Sequence, residues 1–200
     1  LPAGTEDGAT QLAAQTDVLR RLRALPGVTS ASLSVLTPLE RAGWNGALDV
    51  DGYVPRSRKD AIAYFNEATS GYFQTLGTPL LAGRDFNSSD RVGTPKVAIV
   101  NESFAQKYFH GQSPIGRRYR PEQGNKPGDP IEIVGLVRDA KYLDLREDFH
   151  PTVYVAASQD ANPGKIVTFE LRASAGNATA MIQAGKRAVG RDGTGEFPAR

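Results

Sequence analysis

The sequence predicts an α+β fold of two lobes. Three observations carry this expectation: apolar residues at helical spacing near both chain ends, alternating strand patterns directly after the first helix, and a middle stretch of short apolar runs with one marked helix. Gln11 to Leu25 places Leu12, Val18, Leu19, Leu22 and Leu25 near one helical face and stops at Pro26-Gly27. Residues 28–36 alternate Ala31, Leu33 and Val35 against Ser30, Ser32 and Ser34, and residues 47–53 alternate Leu48 and Val50 against Asp49 and Asp51, as half-buried strands do. Ile62, Tyr64 and Phe65 mark a third strand within 61–68. Ser70 is placed to cap a short helical turn carrying Tyr72, Phe73 and Leu76, which Gly77 closes.

The second half repeats the logic. Val97 to Val100 reads as a buried strand, and Asn101 caps the helix after it, where Phe104, Ala105, Tyr108 and Phe109 recur before Gly111. Pro121 to Pro130, with three prolines and two glycines, reads as an exposed loop tip ahead of a strand at 131–137. Strands follow at 152–156 and 166–172, and a last helix, Ala178 to Val189, aligns Met181, Ile182, Gly185, Ala188 and Val189, with Lys186 and Arg187 in its final turn. This order suits a sandwich of the split βαβ kind from 1–68 and 165–200, with 69–164 as a mostly β insertion holding one helix. Leu19, Leu22, Ile182 and Val189 then cover one sheet. Periodicity alone leaves open which ends meet.

Composition narrows the function classes. With 24 Lys+Arg against 22 Asp+Glu the net charge is +2 and the signs are interspersed, so no basic face for nucleic acid is expected. Cysteine is absent, which removes disulfides, thiol catalysis and thiolate metal sites. The longest uncharged run, Ala24 to Leu39, is interrupted by Pro26, Gly27 and Pro38, so no segment is expected to span a bilayer. The chain begins at Leu1 and its only methionine is Met181, as expected of a processed or excised piece.

No motif supplies a reaction. Gly164-Lys165 lacks the glycine and hydroxyl of a phosphate-binding loop, so no ATP hydrolysis is expected. In Gly111-Gln112-Ser113-Pro114-Ile115-Gly116 the second glycine comes one place late for a nucleophile elbow, and Pro114 blocks the helix that should start there. His110 and His150, with Asp144, Glu147 and Asp148 before the latter, read as a solvated acidic turn rather than a zinc site. No pair of acids is singled out for glycoside cleavage. Neither metal nor cofactor is expected. The sequons at Asn87, Asn101 and Asn177 read as caps, two of them at proposed helix starts.

Two ordered runs are more specific than any of this: Tyr72-Phe73-Gln74-Thr75-Leu76-Gly77-Thr78-Pro79-Leu80-Leu81-Ala82-Gly83-Arg84-Asp85-Phe86 and Pro95-Lys96-Val97-Ala98-Ile99-Val100-Asn101-Glu102-Ser103-Phe104-Ala105. They continue through Tyr108-Phe109, Ser113-Pro114-Ile115-Gly116, Ile131 to Asp139, and Pro151-Thr152-Val153-Tyr154-Val155. Together they resemble the extracytoplasmic core domain of MacB-type ABC transporter permeases, which carry an FtsX-like membrane domain. The resemblance covers about half the chain. It implies a porter-like lobe built from both chain ends and a smaller lobe inserted between them. It also implies a transmembrane helix before Leu1, three more after Arg200, a separate or fused ABC ATPase, a periplasmic adaptor or lipoprotein as further partner, and a location outside the bacterial cell membrane.

Within those runs Arg84, Asp85, Arg138 and Asp139 are the charged positions of most interest, either as ties to loop backbone or as partner contacts. Trp44, the only tryptophan, is a loop aromatic folded on the core or an anchor for a partner. The function implied is transmission of ATP-driven motion from the membrane helices to a substrate outside. A free-standing binding protein for a peptide or lipid is the alternative, and it calls for a large apolar pocket between the lobes. The stripes are all used by the core, so the isolated chain is expected to be a monomer even where the whole permease pairs.

Overall fold

The computed structural model describes residues 8–37, 43–124, 126–141, 146–174 and 178–190. In order they form α1 (Gly8–Arg23), β1 (Val28–Ser34), β2 (Trp44–Val50), β3 (Ile62–Ala68), α2 (Tyr72–Leu76), β4 (Leu80–Gly83), β5 (Val97–Asn101), α3 (Glu102–Phe109), β6 (Arg118–Gln123), β7 (Lys126–Pro127), β8 (Ile131–Val137), β9 (Thr152–Ala156), β10 (Thr168–Ala173) and α4 (Ala178–Gly190), with single turns of 3-10 helix at Arg58–Ala61 and Ala157–Gln159. The fold is α+β and dominated by its sheet.

Six strands close on themselves. β2 pairs with β6, β6 with β8, β8 with β5, β5 with β9, β9 with β3, and β3 returns to β2. Closure removes free edges within the ring. Its inside is filled by Leu48, Val50, Ala63, Phe65, Ala98, Val100, Ile133 and Val153, together with Phe104, Tyr108 and Phe109 of α3. That helix begins where β5 ends, because the Asn101 side chain accepts from the Phe104 backbone N–H at 3.0 Å and so replaces a missing helical partner. The outside of β5 is covered as well, since Val97 and Ile99 pack with Tyr72 and Phe73 of α2 and with Phe86. A strand buried on both faces reads as an unbroken apolar run, which explains Val97 to Val100.

β1 leaves this ring after one pairing, Ser34 with Ala68, and forms an antiparallel ladder with β10 in which Ala31 faces Leu171 and Leu33 faces Phe169. On one face of this two-stranded arm, Val18, Leu19 and Leu22 of α1 and Ala188 and Val189 of α4 share a core with Ala31, Phe169 and Leu171. Gly185 brings α4 in: a Cβ there would sit 3.3 Å from the Leu171 side chain. The opposite face carries Ser32, Ser34, Glu170 and Arg172 toward α2. α2 has only five residues, and glycines in the left-handed region bound it at both ends, Gly71 at φ 82° and Gly77 at φ 76°.

Several expectations need correction. Ile182 is not on the packed stripe of α4 but 56% exposed. Ser70 does not cap α2; Gly71 holds that position with no side-chain bond. Residues 121–130 are not an open tip throughout, because Pro121 pairs with Leu48 and a short hairpin joins Glu122 to Pro127 and Gln123 to Lys126. Trp44 opens β2 instead of lying between strands, and that strand ends at Val50, before the turn at 51–52. Of the segments grouped by the sequence reading, α1, β1, β10 and α4 share a core, while β2 and β3 hydrogen-bond to β6 and β9 from within 69–164.

Candidate functional site

Arg84 and Asp85 lie where β4 leaves β8. The Arg84 backbone N–H donates to Val134 O at 2.9 Å, and its guanidinium forks onto Asp90, donating to Oδ2 at 2.7 Å and Oδ1 at 2.8 Å. Asp90 is 4% exposed and also accepts from the Asn87 N–H at 2.9 Å; the Arg84 guanidinium, chiefly, holds its carboxyl below the usual range. Asp85 accepts from the backbone N–H of Gly71 at 3.0 Å and of Phe86 at 2.7 Å, pinning the start of α2. β4 comes this close to β8 because Gly135 lacks a side chain: a Cβ there would stand 2.5 Å from Arg84 O.

Arg138 and Asp139 lie at the other end of the same ladder. The Arg138 backbone N–H donates to Pro79 O at 3.0 Å and its side chain is exposed. Asp139 accepts from the Ser103 N–H at 3.0 Å and the Ser103 hydroxyl at 2.8 Å, which fastens the first turn of α3 to the end of β8. Trp44 stacks on Phe65 with ring centroids 5.0 Å apart and is 48% exposed, a lid on the inner core. The five residues singled out by sequence thus occupy three separate places. Arg84, Asp85 and Asp139 are tied to loop backbone or to a neighbouring helix, and Arg138 and Trp44 face solvent in part.

The histidines do not gather ligands. His150 stacks with Tyr64 at 4.9 Å and its Nε2 is 3.6 Å from Glu147 Oε2, while His110 ends α3 at φ 53°. Among the described residues no three His, Asp or Glu side chains converge. Asp144 and the sequon at Asn177 lie outside them. Asn87 accepts from the Ser89 N–H at 2.8 Å, a turn device.

Sequence reasoning missed two half-buried acids. Glu170 projects from β10 under α2 and accepts from the hydroxyls of Ser32, at 2.9 Å, and Ser34; burial pushes its carboxyl up. Glu67 is the second-last residue of β3, and burial, then the neighbouring Asp160 carboxylate, push it up to about 7. Both occupy alternating strand patterns in which an acid reads as a solvent-facing position. Their surroundings come from elements distant in sequence.

An open groove of about 610 Å³ runs along α1, lined by Leu12, Ala13, Thr16, Val92 and Ala161. A smaller one of about 260 Å³ lies beside β2 and β7. No helix of the described residues is long and apolar enough to cross a membrane.

In ring, arm and tied loops, Arg84, Asp85 and Asp139 fix the chain's path. The sequence matches the family model of the MacB-like periplasmic core domain over residues 3–188. The chain belongs to that family and is an extracytoplasmic domain of a MacB-like ABC transporter permease. The periplasmic region of MacB from Actinobacillus actinomycetemcomitans superposes with a TM-score of 0.58 at 16% identity, over 86% of this chain and 71% of that one. The extracellular domain of the noncanonic ABC-type transporter YknZ from Gram-positive bacteria gives 0.55 at 16% identity, over 88% and 81%. A domain of a putative permease protein from Porphyromonas gingivalis gives 0.50 at 18%, over 82% and 72%. At such identities the likeness is one of fold. No curated protein matches the sequence. The family is that of a transporter's outer domain, not of a catalytic one, and implies membrane helices and an ABC ATPase as partners in general.

Proposed function

We propose that the domain transmits motion: closure of the ATPase moves the membrane helices, and the domain carries that movement to an exported or released substrate. The observation that supports this reading is the arm. α1 and α4, from the two ends of the chain, lie side by side on one face of the β1–β10 ladder. Force entering at either end is then delivered to one small layer, and reaches the ring through β1, α2 and the 157–167 crossover. We take the arm as the porter-like lobe and the ring as the inserted one. In the whole permease we propose two copies paired by their membrane helices and ATPases, with the outer domain alone a monomer.

The test uses the full permease with its ATPase in lipid. The domain has no cysteine, so Thr10→Cys on the exposed side of α1 gives one spin label per copy within it. Distances between the two labels should shift by several ångström between the nucleotide-free and ATP-trapped states. Identical distance distributions in both states would refute transmission. The alternative, a free-standing peptide- or lipid-binding protein, would instead show saturable binding by the isolated domain.

A further inference from the structure

Ring and arm share one ladder pairing, Ser34 with Ala68, and polar side chains gather around it. Ser34 closes β1 and is buried, as is Asn66 of β3. The Val35 N–H donates to Glu67 O at 3.1 Å and the Leu36 N–H to Asn66 Oδ1 at 2.9 Å, so the chain leaving β1 is held against the end of β3. Leu36 O faces two donors, Asn66 Nδ2 at 2.8 Å and the Ser34 hydroxyl at 3.1 Å. Asn66 Nδ2 also lies 3.3 Å from Tyr72 Oη, which brings in α2. From the arm, Glu170 of β10 sets Oε1 against the same Ser34 Oγ, while its Oε2 accepts from the Ser32 hydroxyl at 2.9 Å.

Proton counting fixes the direction of these bonds. A serine hydroxyl has one proton, so Ser34 cannot donate to Leu36 O and to Glu170 at once. With Glu170 ionised, the hydroxyl turns to the carboxylate and leaves Leu36 O facing the lone pairs of Ser34 Oγ. With Glu170 neutral, its carboxyl O–H donates to Ser34 Oγ, Ser34 donates on to Leu36 O, and Ser32 donates to Oε2. Every contact then has its proton. The charged groups nearby do not favour the ionised form. Arg172, two residues along β10, turns its Nε to Thr75 O at 2.8 Å, and Arg23 of α1 donates to Ala31 O and Ser70 O. Glu67 lies on the other face of β3 from Asn66, and β1 and α2 carry no charged residue. Burial, chiefly, holds the Glu170 carboxyl above the ordinary 4.5.

We infer that Glu170 is a neutral acid that donates to Ser34 and so fastens the chain leaving β1 to the ring, a proton-dependent joint that slackens when Glu170 ionises. The joint is firm below the folded pKa of Glu170 and loosens as pH rises through it, because the Ser34 proton is then drawn away from Leu36 O. Asn66 keeps its own bonds to Leu36 in both states, so the segment is loosened and not released. This inference goes beyond the transport reading and does not rest on it, since it concerns the domain alone.

Two measurements on the 200-residue chain between pH 4 and 9 read the joint together: the carboxyl carbon of Glu170 by NMR, and hydrogen exchange of the Val35 and Leu36 amides corrected for intrinsic rates. The carboxyl should titrate with a midpoint above 4.5, and protection at Val35 and Leu36 should fall about fivefold across that same midpoint while β8 stays unchanged. Glu170→Gln presents an N–H to Ser34 and an oxygen to Ser32 as the neutral acid does, so its protection should stay high at every pH. Ser34→Ala cuts the chain of bonds but leaves Glu170 to titrate, so the pH response at Leu36 should vanish. A carboxyl midpoint at or below 4.5, protection at Leu36 that ignores the ionisation of Glu170, or a response that persists in Glu170→Gln would overturn the joint. If a variant does not fold, the wild type alone decides: matching midpoints for the Glu170 carbon and the Leu36 amide shift support the joint, and separate midpoints end it.

Discussion

Replacing Arg84 by alanine separates a structural role from a partner contact. The side chain makes two charge-assisted hydrogen bonds to Asp90, at 2.7 and 2.8 Å, and a third to Asp85 O at 3.1 Å. Bonds of this type contribute roughly 1.5–3 kcal/mol each when shielded, but 42% of the Arg84 side chain is exposed, so solvent screening cuts the total. Asp90 is left as a buried carboxylate with one backbone donor, which restores part of the cost. A net loss of about 2.5 kcal/mol follows from these terms, equivalent to roughly 5–10 °C in Tm for a domain of this size. The pH dependence supplies a second check. Asp90 has its folded pKa lowered below the ordinary 3.8, so its contribution is present above that value and fades as pH falls through the folded one. Thermal melts by circular dichroism at pH 7 should show the full difference between wild type and Arg84→Ala, and melts near pH 2 a much smaller one. A variant that melts within about 1 °C of wild type at pH 7, or loses as much at pH 2, would refute the argument.

Three further substitutions test the core. Asn101→Ala removes the α3 cap, an acceptor for the Thr152 N–H at 2.8 Å and a donor to His150 O at 2.8 Å, and should cost about 3 kcal/mol in urea titrations. Tyr119→Phe takes away a hydroxyl buried in the ring with no partner among the described residues, so chemical denaturation should show no loss and a gain of up to about 1 kcal/mol. Glu170→Gln removes a half-buried acid whose folded pKa lies above 4.5; such a group weakens the fold as pH rises past its unfolded value, so the variant should be about 1 kcal/mol more stable at pH 8 and equal to wild type below pH 4.

The elements with a strong local signal were legible. The caps at Asn101 and Gly77, the strands at 131–137 and 152–156, and the helix ending at Pro26-Gly27 all follow from side chains a few residues apart. β4, β6 and β7 were not. β4 is four residues long and exposed, and it is a strand only because β8 offers an edge. β6 contains Arg118, Arg120, Pro121 and Glu122, which no propensity assigns to a strand, and it forms because β2 and β8 flank it. Closure of the ring is likewise a property of register: the parallel pairing of β3 with β9 joins residues 64–68 to 152–156, and nothing local encodes it. The loop-tying roles of Arg84, Asp85 and Asp139 were among the readings open in the sequence, whereas Glu67 and Glu170 were invisible because burial of an acid is decided by distant elements.

How stiffly arm and ring are joined is set by few groups. The ladder between them has one pairing, Ser34 with Ala68, so the β-sheet itself is a narrow bridge. α2 spans the gap: Tyr72 and Phe73 pack on the ring's outer core, while Arg172 of β10 donates to Thr75 O at 2.8 Å and Arg23 of α1 to Ser70 O at 2.8 Å. A helix of five residues has no stability of its own, so α2 keeps its shape only through these partners. Its apolar side is buried against the ring and its polar side faces the arm. Separating arm from ring at α2 therefore breaks the hydrogen bonds that Arg172 and Arg23 donate, and leaves Tyr72 and Phe73 on the outer apolar core.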